Sequence, residues 1–247
     1  MTDEERFFFC HFPRTGGSSL TVSLLRQFGQ DAIYPRPADI DGLDVAMAGT
    51  DIDHLASVFD QNRDTIRVIG GHFPLCAADR LGVPFRTFTI LRDPIERSLS
   101  HLRYLRRVDP RYRDLSLHEI YAIPQVLFSY LHNHMVKTLA MTGDEAVHGI
   151  LGMVGTTEDH LQRAKDALDA MDVVGIQDRF HDFHDDLEHA FGWDLGPVEH
   201  VNATDDEEAT PQLRTHLEMA NLLDVELYEY AQKLVSERGG VRPGTRG

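Results

Sequence analysis

The spacing of apolar positions changes several times along this chain, and each change marks an element. Phe7 to Phe12 is an almost unbroken apolar run, the pattern of a strand buried on both faces. Pro13 ends it, and Gly16 and Gly17 form a turn. A helical period follows, with Leu20, Leu24, Leu25 and Phe28 at i, i+4, i+5 and i+8, and Ser18 and Ser19 are good N-cap types for that helix. Ala32–Asp51 carries Pro35, Pro37 and several Gly and Asp residues and reads mostly as loop. Asp51–Asp64 suits a short helix with Leu55, Val58 and Phe59 on one side. Ile66–Ile69 reads as a second strand ending at Gly70-Gly71-His72, and Phe85–Leu91 as a third.

A sharp helix start follows the third strand. Asp93 is placed as N-cap, Pro94 at the first helical position and Glu96 to complete a capping box. From there Arg97, Ser100, His101 and Tyr104 share one face. Leu115–Ala140 has helical spacing interrupted near Pro124, and Thr157–Met171 is amphipathic with Leu161, Ala164, Leu168 and Met171 inward. Val173–Ile176 is a fourth strand. Arg179–Phe191 is a helix whose buried stripe is Phe180, Phe183, Leu187 and Phe191. Asp205–Glu208 reads as a solvated loop, and Thr210-Pro211 caps a long final helix that keeps its apolar spacing to Leu234. The Gly- and Arg-rich end, residues 236–247, reads as a disordered tail. Strands alternating with helices predict an α/β fold, with a mostly parallel sheet covered on both faces in one domain over residues 1–235.

Composition narrows the partners. The 247 residues are 42% hydrophobic and 26% charged, ordinary for a globular protein. A formal net charge of −16 argues against broad binding of nucleic acid or an anionic membrane, while permitting a local basic pocket. Cys10 and Cys76 are the only cysteines, so there is no disulfide framework. The acidic start lacks the form of a signal peptide and no apolar stretch approaches 18 residues. The expectation is a cytoplasmic protein without a membrane anchor.

The first strand, its glycine turn and the following helix have the geometry that binds phosphate. Unpaired amides and the positive helix end point at the anion, and Arg14 adds a permanent charge. The Walker pattern is absent. In parallel sheets ligands sit beyond the carboxyl ends of the strands, and three polar groups fall there: Arg14–Ser19, Gly71-His72, and Arg92 with the helix that carries Ser100. Each alone has a plain alternative: a tight turn without ligand, a satisfied histidine, an arginine paired with Asp93 or Glu96. Together they predict one crevice. His181, His184, Asp185 and Glu188 also form a stripe at ligand-like spacing, but opposite a Phe/Leu stripe this reads as a solvated face. No metal is assigned there, nor at His132 and His134, which point to opposite sides of their helix.

These residues resemble a known family. Pro13-Arg14-Thr15-Gly16-Gly17-Ser18-Ser19-Leu20 is similar to the 5′-phosphosulfate loop of sulfotransferases, nearest the carbohydrate O-sulfotransferase branch with the heparan sulfate 2-O and 6-O enzymes. Arg92-Asp93-Pro94-Ile95-Glu96-Arg97-Ser98-Leu99-Ser100 is similar to that family's 3′-phosphate motif, and Gly71-His72-Phe73 to the segment carrying its proposed base. Val174–Phe180 and Asn221–Tyr228 are also similar, so the resemblance spans roughly residues 6 to 232. It implies a P-loop-like three-layer fold with its central sheet flanked by helices. It also implies 3′-phosphoadenosine 5′-phosphosulfate (PAPS) as co-substrate, sulfuryl transfer to an acceptor hydroxyl, and no metal.

The implied roles are His72 as general base, Arg14 with the amides of Thr15, Gly16, Gly17, Ser18 and Ser19 at the 5′ side, and Arg92 with Ser100 at the 3′-phosphate. Arg14 stands where the family has lysine, supplying charge as a planar fork instead of a compact point. The eukaryotic glycan enzymes are membrane-anchored and this chain shows no anchor, which favours a soluble enzyme with a smaller acceptor. The charge of −16 would repel a long polyanionic glycan and favours a neutral sugar, glycolipid or small metabolite. Two rivals remain at this stage. One is a phosphotransferase using a nucleoside triphosphate, disfavoured by the missing Walker and Mg²⁺-binding motifs. The other is a non-catalytic nucleotide-binding module in which Arg14 marks lost activity.

Overall fold

Strand β1 (Phe7–Cys10) is buried along its whole length because it lies in the middle of a five-stranded parallel sheet. The computed structural model describes residues 5–36, 50–198, 208–238 and 240–242. The other strands are β2 (Ile33–Tyr34), β3 (Val68–Ile69), β4 (Arg86–Leu91) and β5 (Val173–Ile176), and the order is β2-β3-β1-β4-β5. Phe8 pairs with Ile69 on one side, and Phe9 and Cys10 pair with Phe88 and Thr89 on the other.

The period of two along β1 divides the core. Phe7 and Phe9 pack with Leu20, Leu24, Phe183, Leu187 and Trp193, from helices α1 (Gly17–Phe28) and α8 (Phe180–Phe191) and the residues after α8. Phe8 and Cys10 face Leu55, Phe59, Met135, Leu161, Leu168 and Leu227. Those come from α2 (Ile52–Gln61), α6 (His134–Ala140), α7 (Glu158–Ala170) and α10 (Leu222–Arg238). A third apolar cluster joins α4 (Pro94–Val108), α5 (Leu117–Tyr121) and α9 (Pro211–Ala220) through Leu99, Leu102, Ile120 and Leu217. The remaining helix, α3, is Cys76–Arg80. Among the described residues no helix is long and apolar enough to cross a membrane.

Several elements differ from the sequence reading. β1 stops at Cys10, and Phe12 and Pro13, although buried, already belong to the loop. β2 lies inside the stretch read as loop, because Arg67 N–H donates to Ala32 O and Gly70 N–H to Tyr34 O at 2.8 Å each; residues 37–49 of that stretch lie outside the described residues. Gly16, at φ 91°, caps α1, so Ser18 and Ser19 sit within its first turn. Asp93 caps α4 as expected, its Oδ1 accepting from Ile95 N–H and Glu96 N–H at 3.0 and 2.9 Å. Glu96 forms an ion pair with Arg214 at 2.8 Å instead of folding back as a capping box.

The helical stretch expected over residues 115–140 is broken twice. Beyond α5, a turn over Pro124–Val126 widens into a π-helix over Leu127–Leu131, and Asn133 at φ 41° opens α6. The expected long final helix is interrupted at Asn221, between α9 and α10. The loop expected over Asp205–Glu208 lies, except for Glu208, outside the described residues. Residues 236–238 and 240–242 are not a free tail: α10 runs to Arg238 and Val241 bridges Val173, with Val174 N–H donating to Gly240 O at 2.9 Å. Residues 243–247 lie outside the described residues.

The chain leaves β1 for β2 on one side of the sheet and leaves β4 for β5 on the other. This reversal opens a crevice at the carboxyl ends of β1 and β4.

Candidate active site

The loop after β1 is held from within. Thr15, fully buried, donates its hydroxyl to Phe12 O at 2.9 Å, so that group is committed to the loop. Arg14 has φ 74°, a left-handed conformation uncommon for a residue with Cβ. Arg92 Nη1 donates to Arg14 O at 3.0 Å and so fixes the peptide that follows. The Arg14 side chain donates from Nε to Ser100 Oγ at 3.1 Å and lies over the Tyr104 ring, 5.1 Å from its centroid. Burial, with Arg107 and Arg92 nearby, pulls its pKa below the usual arginine value. Arg14 and Ser100, assigned by resemblance to opposite phosphates, therefore form one cluster.

Gly17 is required by packing, and Gly16 by its left-handed backbone at φ 91°. A Cβ on Gly17 would lie 1.8 Å from His11 Nε2, and one on Gly16 would meet Phe180 Cε2 at 3.1 Å. His11 stacks on Phe9 at 4.8 Å and stands 4.5 Å from the His72 ring, centroid to centroid. His72 Nδ1 donates to His11 O at 3.1 Å, which leaves Nε2 as the nitrogen with a lone pair. Burial lowers the His72 pKa and the bond to His11 partly opposes this, so the neutral base is the favoured form.

These groups line one crevice of about 670 Å³: Arg14, Gly16, Gly17, Ser18, Ser19, His72, Arg92 and Ser100. Thr15 is the one predicted site residue that does not. Ser19 N–H and Leu20 N–H both donate to Gly16 O, at 3.1 and 3.3 Å, whereas Gly17 and Ser18 precede the first intrahelical acceptor of α1. With Arg14 and Arg92, this end of the crevice therefore carries donors and cations suited to an anion.

No protein-family model matches the chain, and neither does any curated protein. Among solved structures, a sulfotransferase from Alicyclobacillus acidocaldarius is similar, with TM-score 0.51 and 16% identity over 95% of this chain and 97% of that one. The likeness is one of fold. The chain has the P-loop-like α/β architecture of that sulfotransferase, a parallel sheet flanked by helices.

Within that architecture the crevice gathers residues to which sequence reading gave no role. His11 follows β1 directly. Gln177, Asp178 and Phe180 follow β5, and Tyr130 comes from the π-helix. His101 and Tyr104 line the crevice as their shared face with Ser100 allows. Arg97 departs from that face: it is fully buried, and its Nη2 donates to Tyr130 O and Leu131 O at 3.0 and 3.3 Å. His181 reaches the crevice rim. His184 is buried and so is not part of a solvated face. Ligand-type atoms of His184, Asp185 and Glu188 lie within 4.8 Å of one another, and Glu188 Oε1 accepts from Leu195 N–H at 2.8 Å. His134 opens α6 with Nδ1 donating to Ser129 O at 3.1 Å.

Proposed function

We propose that the chain is a sulfotransferase that moves a sulfuryl group from PAPS to the hydroxyl of a neutral acceptor. The observation that carries this is the convergence of an α1 N-terminus, Arg14 tied to Ser100, Arg92, and a histidine with one free lone pair, all at the β1/β4 end of the sheet. The fold likeness supports the same class. A nucleotide with phosphates at both its 5′ and 3′ positions suits this donor set: the first amides of α1 and Arg14 for one group, Arg92 and Ser100 for the other. Phe180, packed at Gly16, offers apolar surface for the base.

The chain's own residues have distinct tasks in the reaction. His72 Nε2 accepts the proton of the attacking hydroxyl, and its Nδ1–H bond to His11 O holds the tautomer and the ring plane. Arg14 places positive charge where the departing phosphate oxygen becomes anionic. Arg92 keeps the Arg14 peptide in its left-handed conformation, and so fixes where that charge lies. Thr15, Phe12 and Pro13, the buried residues of the loop, anchor it and keep it from collapsing into the crevice.

The test is transfer of labelled sulfate from PAPS to pools of neutral hydroxyl compounds. Acid-stable labelled product that depends on His72 is the expected result. Tight binding of 3′-phosphoadenosine 5′-phosphate (PAP) without transfer to any pool would make the chain a nucleotide-binding module instead.

A further inference from the structure

The wall of the crevice formed by α4 and the π-helix holds a histidine with no protein partner. His101 is 4% exposed, yet both ring nitrogens are buried without a hydrogen-bond partner among the described residues. Its ring stacks on Tyr130, with centroids 4.8 Å apart at 29°, and it lies 6.1 Å from the Tyr104 ring. It lines the crevice together with Tyr104, Leu105, Tyr130 and Leu151. Two orphaned nitrogens at a fixed ring are costly in a folded protein unless something in the cavity satisfies them.

The surroundings define what that something is. Burial, then the charges of Arg97 and Arg14 and nearby His72, hold His101 well below the ordinary histidine pKa, so it is a neutral donor and acceptor. A neutral imidazole suits hydroxyl groups, which both donate and accept, better than an anion. Arg14 is turned toward Ser100 and Tyr104, and the crevice's acidic residue, Asp178, faces Arg92. The His101 wall is therefore aromatic and aliphatic and holds no carboxylate, with the Arg14 guanidinium over the Tyr104 ring at its edge, a lining suited to a ligand with apolar C–H surface and hydroxyl groups.

We propose that His101 is a specificity-determining residue for a polyhydroxylated, uncharged acceptor, hydrogen-bonding a second hydroxyl while the reacting one lies at His72. This rests on the sulfotransferase reading and narrows its acceptor: a glycoside is preferred to a monohydric alcohol of the same apolar length.

The experiment uses the full chain with PAPS and four probes: octyl β-D-glucoside, octyl β-D-galactoside, octyl α-D-mannoside and 1-octanol. PAP release is followed, and PAP binding is measured separately by calorimetry. Wild type is expected to use at least one glycoside with a KM at least about 10-fold below that for octanol. H101F keeps the stacking ring and removes both nitrogens; it should raise glycoside KM by about 10-fold or more, with kcat and PAP affinity within about threefold of wild type. H101Q, which restores a donor and an acceptor, should recover most of the KM. Octanol used as well as the glycosides, no glycoside used at all, or a loss of PAP affinity in H101F equal to the loss for the glycoside would each overturn the proposal. The wild-type preference is read without any variant. Failure of wild type to bind PAP would overturn the sulfotransferase reading and this inference with it. PAP binding without a glycoside preference overturns this inference alone.

Discussion

Two groups of buried polar side chains lie close together in this protein, and they are finished differently. Behind the crevice, Lys137 is fully buried and donates to Phe128 O, Ser129 O and Gly152 O at 3.0, 3.0 and 3.4 Å. Asp224 accepts from Met135 N–H and Val136 N–H at the start of α6. Asn133 Oδ1 accepts from Leu223 N–H and Asp224 N–H at the start of α10. Each helix thus caps the other. In the crevice, by contrast, His101 has no partner and His72 uses one nitrogen of two. Most polar groups of the interior set are committed to the fold by the chain, whereas the spare nitrogens of His72 and His101 are not.

The interior group is also electrically tense. Burial pushes Lys137 down to about 7 against the pull of Asp224, while three carbonyl acceptors favour its ammonium form. Burial raises Asp224, opposed chiefly by Arg97. Arg97 Nε and Nη1 have no partner among the described residues, so this side is not fully quenched. Charges buried in this way are costly to separate.

The comparison predicts opposite phenotypes for its two halves. His72→Ala should lower turnover by about 10²–10⁴-fold while leaving stability and PAP affinity nearly unchanged. Steady-state rates beside a urea melt check this, and near-wild-type turnover would remove His72 as the base. Asp224→Ala should destabilise the protein by about 3–5 kcal/mol, because it leaves two helix amides without their acceptor and the buried Arg97 and Lys137 without their counter-charge. A denaturation midpoint close to wild type would show that this network is dispensable.

How much of this could be read in the sequence follows the same division. The loop from Pro13 to Ser19 and the Asp93-Pro94 helix start are local patterns, and the first lines the crevice directly while the second reaches it through Arg92 and Ser100 on either side. The reciprocal caps were invisible because Asn133 and Asp224 are 91 residues apart and meet only when α6 and α10 pack. β2 was obscured because two residues beside a proline carry no period, and the sheet supplies their hydrogen bonds. His184 was misread because helical spacing assigns a face but cannot tell what packs on it. Arg14 and Ser100 were each marked, but not that they touch.

Smaller effects sharpen the contrast further. His101 and His134 are buried with pKa values well below 6.5, so the folded chain refuses protons that the unfolded chain takes up near that pH. Stability should be insensitive to these groups above 6.5. It should fall as pH drops below it, with a slope of about 1.4 kcal/mol per pH unit for each histidine until the folded form protonates. Denaturant midpoints from pH 7.5 to 5 measure this, and the slope should lessen in H101F. Activity should have its acid limb below 6.5, since His72 is also lowered from that value. The smallest change expected is for Arg14→Lys, which keeps the charge but loses the Nε bond to Ser100: turnover within about fivefold of wild type, against a much larger loss for Arg14→Ala.

The nucleotide is the centre of the account, and calorimetric titration of PAP and adenosine 5′-phosphate against wild type and Arg92→Ala tests it most directly. Wild type should bind PAP at least about 10-fold more tightly than adenosine 5′-phosphate, because a charge-assisted bond to the 3′-phosphate contributes roughly 1.5–3 kcal/mol. Arg92→Ala should shrink that ratio toward one. Equal affinity of wild type for the two ligands would contradict the assignment of this crevice to a 3′-phosphorylated nucleotide.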